Sequence, residues 1–151
     1  IYAYSLLNKT IRQVTHSKES EYSPSVYDQN KKKMYTVVRV DADSGQRLYN
    51  LDFNDPSKAT LIPNTDSVGY YCRISDTTIA MFILGPTNTL QVLNMQTGKR
   101  RLIADNIGRC FRYSPTRRLC YFLTKDNEKE WYINTLNTKT YKTESNTHIA
   151  I

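Results

Sequence analysis

The sequence predicts an all-β chain assembled from repeated four-stranded antiparallel units, and three observations predict it. Apolar and polar residues alternate at a period of two, and helical periodicity is absent. The apolar stretches are short, rich in β-branched and aromatic residues, and bounded by Gly, Pro, Asn, Asp or Ser. The pattern also recurs every 41 to 46 residues, the size of one β-propeller blade.

In chain order, the strand-like stretches are residues 2–6, 34–40, 48–53, 79–84, 90–95, 119–123 and 131–136. Four of them align on Tyr2, Leu48, Leu90 and Trp131. Each is followed by a polar turn: Asn8-Lys9, Asp55-Pro56-Ser57-Lys58, Gln96-Thr97-Gly98-Lys99 or Asn137-Thr138-Lys139. A short strand comes next, as in 10–15 and 100–104. The stretches from Tyr22, Tyr71 and Cys110 supply the other half of the unit, a strand, a tight polar turn and a second strand. An immunoglobulin-like sandwich would also give short strands, but not this self-similarity. The predicted pieces are 1–15, 21–62, 69–104 and 109–143, with 148–151 opening the next inner strand. That makes about three and a half blades of a partial ring. The remaining blades are expected from the rest of a parent chain or from another chain.

At 151 residues, 17.6 kDa and 39% hydrophobic, the chain can bury a core and is too apolar for a disordered tail. No apolar run approaches the roughly 18 residues of a membrane-spanning helix. The segment contains no signal peptide, and it opens on Ile1 within a strand-like run, so the gene is expected to start earlier. Cys72, Cys110 and Cys120 lack metal-ligand spacing, and only His16 and His148 could complement them, so zinc is not expected. Cys110 and Cys120 fall on adjacent predicted strands and could meet, although free thiols are the ordinary reading.

The turns resemble those of TolB-type propellers, whose WD40-like (PD40) repeats carry Ser-Pro-Asp-Gly-Lys and a closing Arg-Gln-Leu-Thr. The residues that carry the resemblance are Tyr27-Asp28-Gln29-Asn30-Lys31, Ser114-Pro115-Thr116-Arg117 and Arg12-Gln13-Val14-Thr15-His16. Asp28-Gln29-Asn30 replaces the usual Pro-Asp-Gly, and Ser75-Asp76-Thr77 has no Gly. The resemblance covers nearly the whole chain and is closest to secreted proteins of Bacteroidetes type. It implies a periplasmic or extracellular bacterial protein.

With WD40-like strand order, the net charge of +7 separates by face. Turns between first and second, and third and fourth, strands carry Lys9, Lys31, Lys32, Lys33, Lys58, Lys99, Arg100, Arg117, Arg118 and Lys139. The opposite loops carry Glu19, Glu21, Asp41, Asp43, Asp66, Asp105, Asp126, Glu128 and Glu130. Solvated turns that blunt sheet edges account for the lysines. The functional alternative is a polyanion-binding face at Lys31, Lys32, Lys33, Lys99, Arg100, Arg117 and Arg118. Nucleic acid is not the expected partner, because no RNA-recognition or helix-turn-helix signature is present.

Propeller ligands commonly sit at the channel mouth. The resemblance brings His16, Glu21, Tyr22, Arg39, Arg47, Tyr70, Arg109 and His148 to that region, a set able to bind a sugar, a peptide or a carboxylate. Each of these has a structural alternative, such as a loop hydrogen bond for His16 or inter-blade packing for Tyr22 and Tyr70. Catalytic motifs are absent: no G-x-S-x-G, no P-loop and no H-E-x-x-H. Residues 12–16 are similar to a stretch of oligogalacturonate lyases, but one matched histidine cannot build their metal site. The expectation is a binding or scaffold module without cofactor, for a protein, carbohydrate or peptide partner. The alternatives are the propeller part of an oligogalacturonate-lyase-like or prolyl-oligopeptidase-like enzyme, and polyanion binding.

Overall fold

The computed structural model describes residues 1–29, 31–127 and 129–150. Asn30 of the first hairpin turn, Glu128 of the acidic loops and Ile151 of the expected next strand lie outside the described residues. All regular structure described is β. Two compact units divide the chain, Ile1–Asp66 and Ser67–Ile151.

In the first unit, β1 (Tyr2–Ser5) pairs with β2 (Thr10–Gln13) in a two-stranded antiparallel ribbon. Strands β3 (Ser20–Gln29), β4 (Lys32–Val40), β5 (Gln46–Asp52) and β6 (Ala59–Leu61) form a four-stranded sheet in sequence order. Tyr35, Val37 and Leu51 of this sheet pack with Val14, against the half-buried Ile1 and Ala3. The two middle strands are the most buried, so β4 reads Tyr-Thr-Val-Val without alternation and is covered on both faces. Between the middle strands Thr36 Oγ1 donates to Asn50 Oδ1 at 2.8 Å. Thr65 Oγ1 donates to the Ile62 carbonyl and accepts the Leu48 N–H. Pro24 sits at a bulge of β3 between Tyr22 and Ser25, where a residue without an N–H costs the ladder nothing.

The second unit holds two four-stranded sheets of the same meander topology. One consists of β7 (Val68–Ser75), β8 (Thr78–Ile83), β9 (Thr89–Asn94) and β10 (Arg100–Ala104). The other consists of β11 (Ile107–Ser114), β12 (Leu119–Lys125), β13 (Glu130–Asn137) and β14 (Thr143–Ala150). Ala80, Phe82, Leu90 and Val92 of one sheet pack against Cys120, Phe122 and Leu136 of the other. All seven are nearly inaccessible, and they form the seam that holds the unit together.

Residues 148–150, expected to open a new inner strand, do not. Tyr132 pairs with His148 and Trp131 with Ile149, so β14 is the fourth strand of its own sheet. The turn 138–142 is as long as the 95–99 turn before β10, and the polar start of β14, Thr-Glu-Ser-Asn, hides that strand in the sequence. The same turn shows the repeat in detail. Asn94 N–H donates to Lys99 O and Gly98 N–H to Asn94 O, and Asn137, Lys142 and Tyr141 make the corresponding bonds.

Cys110 and Cys120, which adjacent strands could have brought together, do not meet. Cys120 pairs with Tyr113, and its Sγ lies 3.9 Å from Cys72 Sγ across the seam, while Cys110 is exposed. All three thiols are free. Its hydrogen bond with Cys120, together with burial, pushes the Cys72 thiol far up.

Candidate functional site

A cleft of about 500 Å³ in the first unit is lined by His16, Ser17, Glu19, Arg39 and the Asp55-Pro56-Ser57 turn, with Val14 as its apolar wall. Arg39, near the end of β4, donates through Nε and Nη2 to Glu21 Oε1 at 3.1 and 2.7 Å. Register dictates the pair, because Glu21 of β3 lies directly opposite Arg39. The Glu21 side chain is 2% exposed and that of Arg39 14%, so this ion pair is largely desolvated. Burial works to raise the Glu21 carboxyl, but the Thr15 hydroxyl, Arg39 and the Ser17 hydroxyl prevail and hold it below its ordinary range. The guanidinium also lies 4.5 Å from the Tyr49 ring centroid. A carboxylate on one edge and an aromatic face therefore fix Arg39, while Nη1 has no hydrogen bond among the described residues. Such a group can take a carboxylate, a carbonyl or a sugar hydroxyl from a ligand.

Arg47 lies opposite Arg39 in the β4–β5 ladder but is fully engaged. It donates to Asp41 Oδ2, to both Asp43 oxygens and to Asp66 Oδ1, at 2.8 to 2.9 Å. The Arg47 hydrogen bonds, with the Gly45 N–H, hold Asp43 down to about 2. Tyr49 links the two arginines, since its hydroxyl donates to Asp41 beneath the Arg39 guanidinium. The positive charge facing the acidic loop Asp41-Ala42-Asp43-Ser44-Gly45 is supplied by Arg47.

Of the eight residues expected at a channel mouth, His16 and Arg39 line this cleft, Glu21 anchors Arg39, and Arg47 adjoins Arg39 through Tyr49 and Asp41. Tyr22 projects from β3 and is 52% exposed. In the second unit Tyr70, on β7, packs edge-to-face on Phe82, and Arg109 is exposed on β11. His148 lies on β14, stacked near Tyr132. It is thus at the far edge of the sheet from Arg109, three strand spacings or about 14 Å away. Ser17, Tyr49 and Asp55-Pro56-Ser57 were missed. Ser17 follows His16 directly, and the pairing of Tyr49 with Val37 sets its ring on the Arg39 side, a signal available from strand alternation.

The residues of the polyanion face occupy the expected turns. Lys31, with φ 64°, Lys32 and Lys33 are exposed at the β3–β4 turn, and Lys33 Nζ hovers 5.7 Å over Phe53. Arg117 donates to the Tyr121 hydroxyl, and the Arg118 carbonyl accepts from Thr138. Lys99 and Arg100 flank the β9–β10 turn, with Arg100 Nε donating to Gln91 Oε1 at 2.9 Å. No group of three or more His, Cys, Asp or Glu side chains among the described residues is arranged to hold a metal ion.

No protein-family description matches the sequence, and no curated protein matches it either. Solved structures do resemble the chain. The β-propeller domain of the Trilobed protease from Pyrococcus furiosus, described as having an open velcro topology, aligns with a TM-score of 0.59 at 12% identity. That alignment covers 91% of this chain and 45% of that one. An acylaminoacyl peptidase from Pyrococcus horikoshii gives 0.59 at 11% identity, over 87% of this chain and 25% of that one. A puromycin hydrolase gives 0.56 at 11%, over 96% and 31%. The chain spans from a quarter to just under half the length of these structures. At such identities the likeness speaks for the fold alone, and with the repeated four-stranded meanders it establishes the chain as β-propeller blades.

Proposed function

We propose that this chain is the non-enzymatic binding part of a TolB-like propeller and takes a small carbohydrate or peptide ligand in the Arg39 cleft. One observation carries the reading: a guanidinium aligned by a buried carboxylate and a tyrosine ring lines a polar cleft beside His16 and Ser17. Fixing a charged donor before the ligand arrives lowers the ordering cost of binding. The turn residues at 12–16, 27–31 and 114–117 support TolB-like (PD40) kinship, and with it a secreted or periplasmic bacterial setting. On this reading the ring is completed by blades from the rest of a parent chain or from another chain.

A second reading is favoured by the names of the structural relatives, which include a protease, a peptidase and a hydrolase. In it, the chain is the propeller portion of a peptide- or oligosaccharide-cleaving enzyme, with the reacting groups supplied outside these residues.

The test is an NMR titration of the labelled chain with trigalacturonate and, separately, with a blocked tripeptide. Saturable shifts at His16, Ser17, Arg39 and Ser57 are expected, weakened several-fold in a His16→Ala, Ser17→Ala double variant of exposed residues. Shifts scattered over the chain, or none, would reject the cleft. If the parent protein cleaves oligogalacturonide with metal-dependent formation of a double bond, or hydrolyses the peptide, the enzymatic reading replaces the first.

A further inference from the structure

A second cleft, of about 360 Å³, lies in the second unit between the β9–β10 turn and Tyr141 of the β13–β14 turn. Its lining includes Arg100 beside Lys99 and Arg101, and no carboxylate. Asn94 faces the cleft with Val92, and so do Lys99 and Arg101, because all four fall on one side of the β9–β10 ladder. Neither Lys99 nor Arg101 is ion-paired among the described residues. Arg101 is held in place by its guanidinium, 4.7 Å from the Tyr141 ring centroid. The polar neighbours are turned to donate. Asn94 Oδ1 already accepts the N–H groups of Gln96 and Thr97, which leaves the Nδ2 amide free to donate. Thr97 Oγ1 accepts the Lys99 N–H, so its own proton is available.

Tyr141 makes the arrangement more specific. It has φ 59°, the left-handed region, at the position where the sibling turn has Gly98 at φ 69°. A side chain there is strained, and the ring it supplies is the one that carries Arg101. The strain therefore accompanies the feature that positions a cleft cation.

We propose that this cleft binds a tetrahedral oxyanion, a phosphate or sulfate group, through Lys99, Arg101, Asn94 Nδ2 and Thr97 Oγ1. Four donors with no acceptor carboxylate suit such an anion, and two cations match its double charge. The group could be a free ion or the ester of a larger molecule. The inference is independent of the Arg39 cleft, which belongs to the first unit.

Amide NMR of the labelled chain titrated with inorganic phosphate, at ionic strength held constant with chloride, tests it. Saturable shifts are expected at Thr97, Gly98, Lys99, Arg101 and Tyr141. Lys99→Gln and Arg101→Gln should each weaken binding about tenfold. Tyr141→Gly should keep the fold, because its sibling turn already has glycine there, and weaken binding several-fold. Lys129→Gln should leave affinity unchanged, since that exposed residue lies in the β12–β13 turn, at the other end of its sheet from Tyr141. A parallel titration with a hexose monophosphate separates the sources: tighter binding than phosphate indicates an ester, weaker binding a free ion. Absence of saturation, or equal losses from Lys129→Gln and Arg101→Gln, would reduce the effect to diffuse charge attraction and overturn the proposal.

Discussion

The two units are built from the same meander, yet they treat their cations in opposite ways. In the first, Arg39 and Arg47 on neighbouring strands are tied to Glu21, Asp41, Asp43 and Asp66. In the second, Lys99 and Arg101 on one face of β9–β10 meet no described carboxylate, and an apolar seam around Phe82 and Phe122 holds the sheets together. The difference comes from local sequence. The loop entering β5 carries Asp41 and Asp43 within reach of Arg47, while the loop entering β10, Met-Gln-Thr-Gly-Lys, has no acid. The net charge of +7 thus describes neither region: one set of cations is neutralised at home, and the other is left for a ligand.

Several perturbations sharpen the contrast, beginning with the largest. Phe82→Ala removes a fully buried ring from the seam and should cost about 3–5 kcal/mol, read by urea unfolding. Amide protection should fall first across β7 to β14. Arg39→Ala strands the Glu21 carboxylate, 2% exposed, and should cost about 3 kcal/mol, with the loss centred on β3 to β5. Glu21→Gln in the same background should recover much of it.

Acid offers a third lever. Glu21 and Asp43 are both held below their ordinary values of 4.5 and 3.8. Their stabilising contributions are therefore complete above those values and lost as pH falls through the lowered ones, down to about 2 for Asp43. Amide protection in the first unit should decline over that window, at pH values where the Phe82 seam, apolar in character, still holds.

The blade unit was legible in the sequence because alternation and turn chemistry repeat together. Tyr22-Ser-Pro, Gln96-Thr-Gly-Lys and Asn137-Thr-Lys each announce a bulge or a turn. What escaped was the extent of the strand beyond the turn: β14 starts at Thr143, three residues past the position after the Asn137-Thr138-Lys139 signal, and runs on to Ala150, which moves His148 from an inner position to an outer strand. In the cleft, His16, Glu21 and Arg39 were accessible as a charged set, and the Glu21–Arg39 pairing follows once β3 and β4 are in register. Tyr49 was not, since a tyrosine in an apolar strand reads as core until its hydroxyl partner, Asp41, is known. Tyr141 escaped for a different reason. Nothing local favours a bulky residue at a left-handed position, and its role comes from tertiary contacts, with Arg101 and with the seam cluster.

Two smaller effects follow. Tyr141→Gly relieves a left-handed backbone but withdraws a ring packed on the seam cluster, so the two effects oppose and the urea midpoint should move by the equivalent of less than about 1 kcal/mol. Cys110, the exposed thiol, should react with a maleimide at once in the folded chain. Cys72 and Cys120, whose sulfurs face each other in the seam, should react only on unfolding.

The contrast between the two units rests on where the guanidinium protons go, and these can be observed directly. Nε–H groups of Arg39 and Arg47 donate to carboxylates at 3.1 and 2.8 Å, whereas that of Arg101 has no hydrogen-bond partner among the described residues. Solvent exchange of arginine Nε–H groups in the labelled chain should accordingly be slow for Arg39 and Arg47 and fast for Arg101, with phosphate slowing the last. Fast exchange at Arg47, or an Arg101 proton as protected as that of Arg39 without phosphate, would contradict the account.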